Sequence, residues 1–433
     1  MGRAQPGGGV RSGRTAPRGD ARGRVTAAAA EVERVARLSY GRLVATLAMR
    51  TGSVQMAADA LSDALLRALE TWPVRGIPEK PEAWLVTAAR NRLSDARRHD
   101  RVAATAQSHL VRLEEERADR TRGTMPDHLL NLLFVCAHPA IAASIRTPLM
   151  LQVVLGLDAR RMSGAFLISP GTLGQRLTRA RAKIEAAGIG FALPSPDEFE
   201  ARLDHVLDAI YAAYTVGAEG HSAGDAKGAP LASEAIWLGS VLASEMPRQA
   251  EAQALLALML YAEARRPART GPDGAFIPLD EQDPNLWNAR MLDDADLAMR
   301  LAIPNASLGR YQIEAAIQAA HADRRRGNPT DWTGIAALYR GLVSLHPSIG
   351  AVTGLAAALG ETGRGEEALA LLDDIPRDRT TGYQPWWAVR AHLLRGKGDV
   401  EGARLAYDRA TALSTDPAIR AFLSQRKASM RRD

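Results

Sequence analysis

Residues 157–184 read LDARRMSGAFLISPGTLGQRLTRARAKI. The tetrapeptide ISPG interrupts two helix-forming segments. Ser169 is suited to an N-cap, its hydroxyl accepting from a backbone N–H two or three residues on. Pro170 then fits the first helical position, where a missing N–H costs nothing. The spacing predicts a short helix before this point and a longer one after it. In the second helix Leu173, Leu177, Ala180 and Ile184 recur every three or four residues as one buried stripe. Gln175, Arg176, Arg179 and Lys183 fall on the outer face. Two helices joined by a short turn, the second basic on its outside, propose a helix-turn-helix, whose second helix can lie in a DNA major groove.

Working upstream, the helical pattern begins near Glu31 and stops at Gly52, a C-cap residue. Ser53 can cap a second helix running to about Thr71, with Leu61, Leu65 and Leu69 on one face. The segment TWPVRGIPEKPE, at 71–82, then breaks regular structure three times with proline. A third helix is expected over about 81–101, its apolar face Trp84, Leu85, Ala88 and Leu93, its basic face Arg90, Arg92, Arg97, Arg98 and Arg101. Residues 105–126 mix acids and bases and read as a linker. The first 24 residues hold six Arg, seven Gly and almost nothing apolar, so they are expected to be a disordered tail.

Downstream of residue 193 the chain is Ala/Leu-rich helix with no strand pattern. Ile335, Ala368 and Ala403 stand 33 and 35 residues apart, and each is followed four residues later by Tyr339, Leu372 or Tyr407. Val352, Ala356, Leu359 and Gly363 align in the same way with Trp387, Ala391, Leu394 and Gly398. That period is tetratricopeptide spacing, the mark of stacked helix pairs. The expected architecture is all-α: tail 1–24, helical bundle 31–104, linker 105–126, helix-turn-helix domain 127–190, helical extension 193–320 and tetratricopeptide-like repeats 321–433.

Charge is divided unevenly. Residues 25–192 carry 23 basic and 16 acidic side chains, against 26 and 32 in residues 193–433. A basic first part beside an acidic second one suggests that only the first meets a polyanion. The single cysteine, Cys136, excludes an intramolecular disulfide and multi-cysteine metal centres. No metal-ligand spacing occurs, so no cofactor is expected. The apolar runs are too short for a membrane span and the Arg/Gly-rich start lacks a signal-peptide core, which suggests a cytoplasmic protein.

The segment from Asp59 to Trp72, followed by PEAWLVTAARNRLSDARR at 81–98, resembles region 2 of extracytoplasmic-function sigma factors. The helix-turn-helix with Thr172, Gln175, Arg176, Leu177, Arg179 and Arg181 resembles their region 4. The long C-terminal part, with Ala264–Arg269, Leu279–Asp283 and Tyr311–Ile317, resembles the subgroup with a tetratricopeptide-like extension. The resemblance implies a promoter-recognition subunit, not an enzyme, whose partners are core RNA polymerase and promoter DNA. It implies that Asp59, Asp63 and Arg67 dock on the polymerase. Arg90, Asn91, Arg97 and Arg98 would hold the −10 element, beside a loop that receives an extruded base. Thr172, Gln175, Arg176, Arg179, Arg181 and Lys183 would meet the −35 element. The sequence departs from the family pattern at Ala58, Ser62, Arg161 and Thr215–Gly220.

Two competing readings come from other classes. One is a tetratricopeptide interaction regulator whose sigma-like half no longer initiates transcription. The other is an enzyme using Cys136 with His138, or Glu314 with His321; both pairs sit alone on apolar helices. The charge balance also leads to the expectation that the acidic C-terminal part contacts the sigma-like half and regulates it.

Overall fold

The computed structural model describes residues 18–101, 125–166, 168–189, 194–219, 229–303 and 308–430. Within them the chain forms nineteen α-helices and no strand. It divides into two compact units, Met1–Asp197 and Glu198–Asp433.

Unit 1 is built on a long helix, α1 (Arg18–Thr51). It begins inside the segment expected to be a tail, which corrects the boundary at residue 24. The Ala-rich run after Val25 is a strong helix former, and propagation backward from it costs little once the helix is nucleated. Residues 1–17 lie outside the described residues, as do 102–124 of the expected linker, whose last residues belong to a later helix. α2 (Val54–Arg75) starts at Ser53, whose Oγ accepts from the Met56 N–H at 3.2 Å. Its buried stripe is Val54, Ala57, Ala60, Leu61, Ala64, Ala68 and Trp72, so small residues let α1 and α2 approach closely. This corrects the expected leucine face, since Leu69 is 41% exposed and Leu65 only half-buried. The helix also runs through Pro73 to Arg75, because near the C-terminus a single lost N–H leaves the Gly76 N–H to Trp72 O bond (2.9 Å) intact.

α3 (Pro81–Arg101) carries Glu82 in its first turn, where the Ser39 hydroxyl of α1 donates to it at 2.7 Å. Its buried residues are Leu85 and Ala89. α4 (Met125–Cys136) and α5 (Ala143–Leu155) supply Leu129, Leu132, Leu133, Phe134 and Leu149 to the core and pack on α1. The α1–α5 crossing is made at Gly41, where a Cβ would stand 2.2 Å from the Val154 carbonyl oxygen. α6 (Ala159–Phe166) and α7 (Pro170–Ala186) follow, and α7 touches both α2 and α5.

Unit 2 comprises α8 (Pro196–Glu219), α9 (Ala229–Glu245), α10 (Ala250–Ala264), α11 (Ala289–Leu301) and α12 (Arg310–Ala322), then seven more helices. These are α13 (Trp332–Leu345), α14 (Ile349–Glu361), α15 (Gly365–Asp373), α16 (Arg377–Thr380), α17 (Gln384–Gly396), α18 (Val400–Leu413) and α19 (Pro417–Ser429). A shift of 35 residues carries α14 onto α17 and the start of α15 onto that of α18. The equivalent turn glycines, Gly363 and Gly398, have φ of 79° and 82°. Ile335, Ala368 and Ala403 are fully buried in one apolar core with Leu372 and Tyr407.

Candidate nucleic-acid interface

Two surfaces of unit 1 carry part of the residues singled out above. The first is a cleft of about 640 Å³ between the end of α2, the 76–80 loop and the outer face of α3. Trp72 and Trp84 form its floor, their rings edge-to-face at 5.6 Å. Trp72 is 2% exposed, and its indole N–H has no hydrogen-bond partner among the described residues. Arg67, Arg75, Ile77 and Asn91 are among the residues of its wall, as is the acidic Glu70. Trp84 is thus half-buried, packed against Trp72 on one side and open to the cleft on the other. Arg90 is half-buried beside the exposed Asn91, and the side chains of Arg97 and Arg98 lie outside the described residues.

On α2, Asp59 and Asp63 are both exposed but have different partners. Both oxygens of Asp59 accept from Gln55 Nε2 at 2.8 Å. Asp63 is ion-paired to Arg92 Nε of α3 at 2.8 Å. Arg67, one turn further on, lines the cleft. The three residues therefore share a helix without forming one cluster, and Arg67 stands nearest the aromatic floor.

The second surface is the outer face of α7. Ser169 caps the helix, accepting from the Thr172 N–H at 3.3 Å and donating to Thr172 Oγ1 at 2.9 Å. Leu173, Leu177, Ala180 and Ile184 are buried, while Thr172, Gln175, Arg176, Arg179 and Lys183 are exposed. Arg181 differs from the rest. It is half-buried, its Nε is enclosed without a hydrogen-bond partner among the described residues, and its charge acts on the Tyr40 hydroxyl of α1. Residue Arg161 falls where no side chain is described.

Neither candidate catalytic pair is assembled. Burial pushes the Cys136 thiol up to about 12, so it stays protonated, and His138 Nδ1 accepts from the Ala140 N–H. Glu314 is ion-paired to Arg310 at 2.8 Å, and His321 packs edge-to-face on Trp332. Among the described residues no cluster of His, Cys, Asp and Glu is placed to hold a metal, and no helix is long and apolar enough to cross a membrane.

Sequence reasoning missed Trp72, Arg75 and Ile77 as parts of the cleft, and Arg92 as the partner of Asp63. The proline-broken loop signalled an irregular segment but not the aromatic floor beneath it. Nothing in the sequence pairs positions 63 and 92.

Comparison with known proteins supplies the class. The chain matches the family described as Sigma-70 region 2 over residues 37–102, which span the C-terminal part of α1 and all of α2 and α3. Residues 202–303 match a family of unknown function, DUF6596. The chain is 36% identical over 377 residues to Uncharacterized protein R00370 of Rhizobium meliloti (strain 1021), covering 86% of this chain and 89% of that one. No solved structure matches. The chain therefore carries a sigma-70 region 2 domain, and it belongs to one family with that Rhizobium relative along most of both sequences.

Proposed function

We propose that the protein is a sigma factor of the extracytoplasmic-function type, which binds core RNA polymerase and directs it to promoters through a −10 and a −35 element. The observation that carries this reading is the cleft between α2 and α3, lying inside the region 2 match and floored by Trp72 and Trp84. Opening duplex DNA requires a base to leave the stack at a cost of a few kcal/mol, which an aromatic-floored pocket can offset. A volume of about 640 Å³ is within the usual range of small-ligand pockets. Asn91 on the wall offers amide hydrogen bonds to a base edge, and Arg67 and Arg75 offer charge to the flanking phosphates. In this reading Asp59, Asp63 and Arg67 on α2 are the polymerase contacts, Arg67 also bordering the cleft. The exposed Asp63–Arg92 pair exchanges readily for an intermolecular one, being worth about 0.2–1 kcal/mol.

In this reading α6 and α7 are the helix-turn-helix. Arg176 and Arg179 face the major groove with Gln175 and Thr172 between them, and Lys183 holds phosphate. Arg181 turns inward and supports the α1 contact in place of DNA. Unit 2 is a tetratricopeptide-like extension that regulates the availability of unit 1. The supports are the repeated helix pairs and the acidic balance of residues 193–433. Titration of the purified chain with core polymerase tests the assignment. Association at or below about 1 μM, weakened when Asp59 and Asp63 are both changed to Ala, is expected. Failure to associate at that concentration would favour a regulator whose sigma-like half no longer initiates.

A further inference from the structure

Arg265, just past the end of α10, is 5% exposed. Its Nη2 donates to Gln318 Oε1 on α12, whereas its Nη1 is enclosed with no hydrogen-bond partner. Among the described residues no carboxylate is ion-paired to it. The nearest candidate in sequence, Glu263, is taken by Arg266 at 2.6 Å and by the Tyr214 hydroxyl at 3.5 Å. Burial and the charge of Arg269 bring its pKa down to about 10, so the guanidinium remains charged at neutral pH.

In the surroundings cations outnumber acids: Arg265 and Arg324 act on His321 together with one carboxylate, Asp280. His321, buried and subject to both Arg265 and Arg324, is pushed down to about 4 and is neutral at pH 7. Arg324 spends its donors on the Leu279 and Gln282 carbonyls and lies over the Trp287 ring at 5.6 Å. In the same group, the Trp287 indole N–H is buried without an acceptor among the described residues. Burying an unpaired charge is costly. A water molecule would satisfy a donor but would leave the charge unbalanced.

We propose that this cluster is a binding site for a small anion bearing phosphate or carboxylate oxygens, which accepts from Arg265 Nη1 and supplies the missing countercharge. The ligand makes unit 2 a sensor domain, and the proposal does not depend on the promoter-recognition reading of unit 1. The extra charges of Arg269 and Arg324 favour a dianion over a monoanion.

Hydrogen exchange of the full chain tests this, read in peptides covering residues 260–290 and 310–326. The chain is compared in sodium phosphate, in sodium citrate and in sodium chloride of equal ionic strength. Slowing of exchange by about tenfold or more in these segments, in phosphate or in citrate, is expected. The anion that acts identifies the ligand class. Arg265→Met should abolish the response, and without added anion this variant should be at least as stable as the parent chain, because it removes an unpaired buried charge. Should Arg265→Met fail to fold, Arg269→Gln should weaken the response several-fold. Absence of segment-specific protection in both anions, or an unchanged response in either variant, would overturn the proposal.

Discussion

Arg176 and Arg181 stand five residues apart on one helix, yet one faces solvent and the other is half-buried toward Tyr40. That difference divides the basic residues of α7 into readers and supports. For Arg176→Ala we predict weaker promoter binding together with a changed preference at one or two −35 positions, by about 1–3 kcal/mol at the base that is read. Binding measured across a panel of single-base promoter variants checks this. Uniform weakening on every sequence would make Arg176 a phosphate contact only. At this scale the sequence was legible where local spacing decides the outcome. Ser53 and Ser169 cap their helices, and Leu173, Leu177, Ala180 and Ile184 are buried as the 3.6-residue period requires. It was illegible where partners lie far apart in the chain. The Asp63–Arg92 pair and the packing of Trp72 on Trp84 depend on how α2 and α3 cross, which no local pattern states.

Among the elements, α1 is the organiser, packing on α2, α3, α4 and α5. Its contact with α5 depends on Gly41, where any side chain would strike the Val154 carbonyl, a backbone atom that cannot turn away. Gly41→Ala is therefore expected to destabilise unit 1 by about 1–3 kcal/mol, against the small gain that Ala brings to an open helix. Denaturant unfolding checks the value, and an unchanged or higher midpoint would mean that the crossing is not tight. The same joint matters for the proposed function. Two promoter elements about 25 base pairs apart are separated by roughly 85 Å along B-DNA. In the proposed function, separation at the α1–α5 crossing would let the two surfaces reach both. Element-level reading erred at helix ends and faces for identifiable reasons. Leucine spacing pointed to Leu61, Leu65 and Leu69, but close approach of α1 selected the alanines. Proline at 73 suggested a stop, but the last turn tolerates its missing N–H.

For the whole molecule, the division into two units coincides with a change in charge, from +7 over residues 25–192 to −6 over 193–433. The 35-residue offset of α14 onto α17 matches the alignment of Val352 with Trp387 and of Ala356 with Ala391 in the sequence. The buried cationic cluster around Arg265 was not legible there, since its members come from separate helices and turns. If unit 2 regulates unit 1, a fragment ending near residue 197 should change in level or control of transcription on its promoters. Unchanged output would remove unit 2 from control. In the proposed function the chain opens promoters together with RNA polymerase. Permanganate reactivity of −10 thymines, measured with core polymerase and the full chain on promoter fragments recovered by genome-wide mapping of a tagged copy, tests it most directly. Reactive thymines that require both the chain and core, and that weaken with Asn91→Ala, are the predicted result. Thymines that stay unreactive on every recovered fragment, although the chain is bound to core, would contradict it.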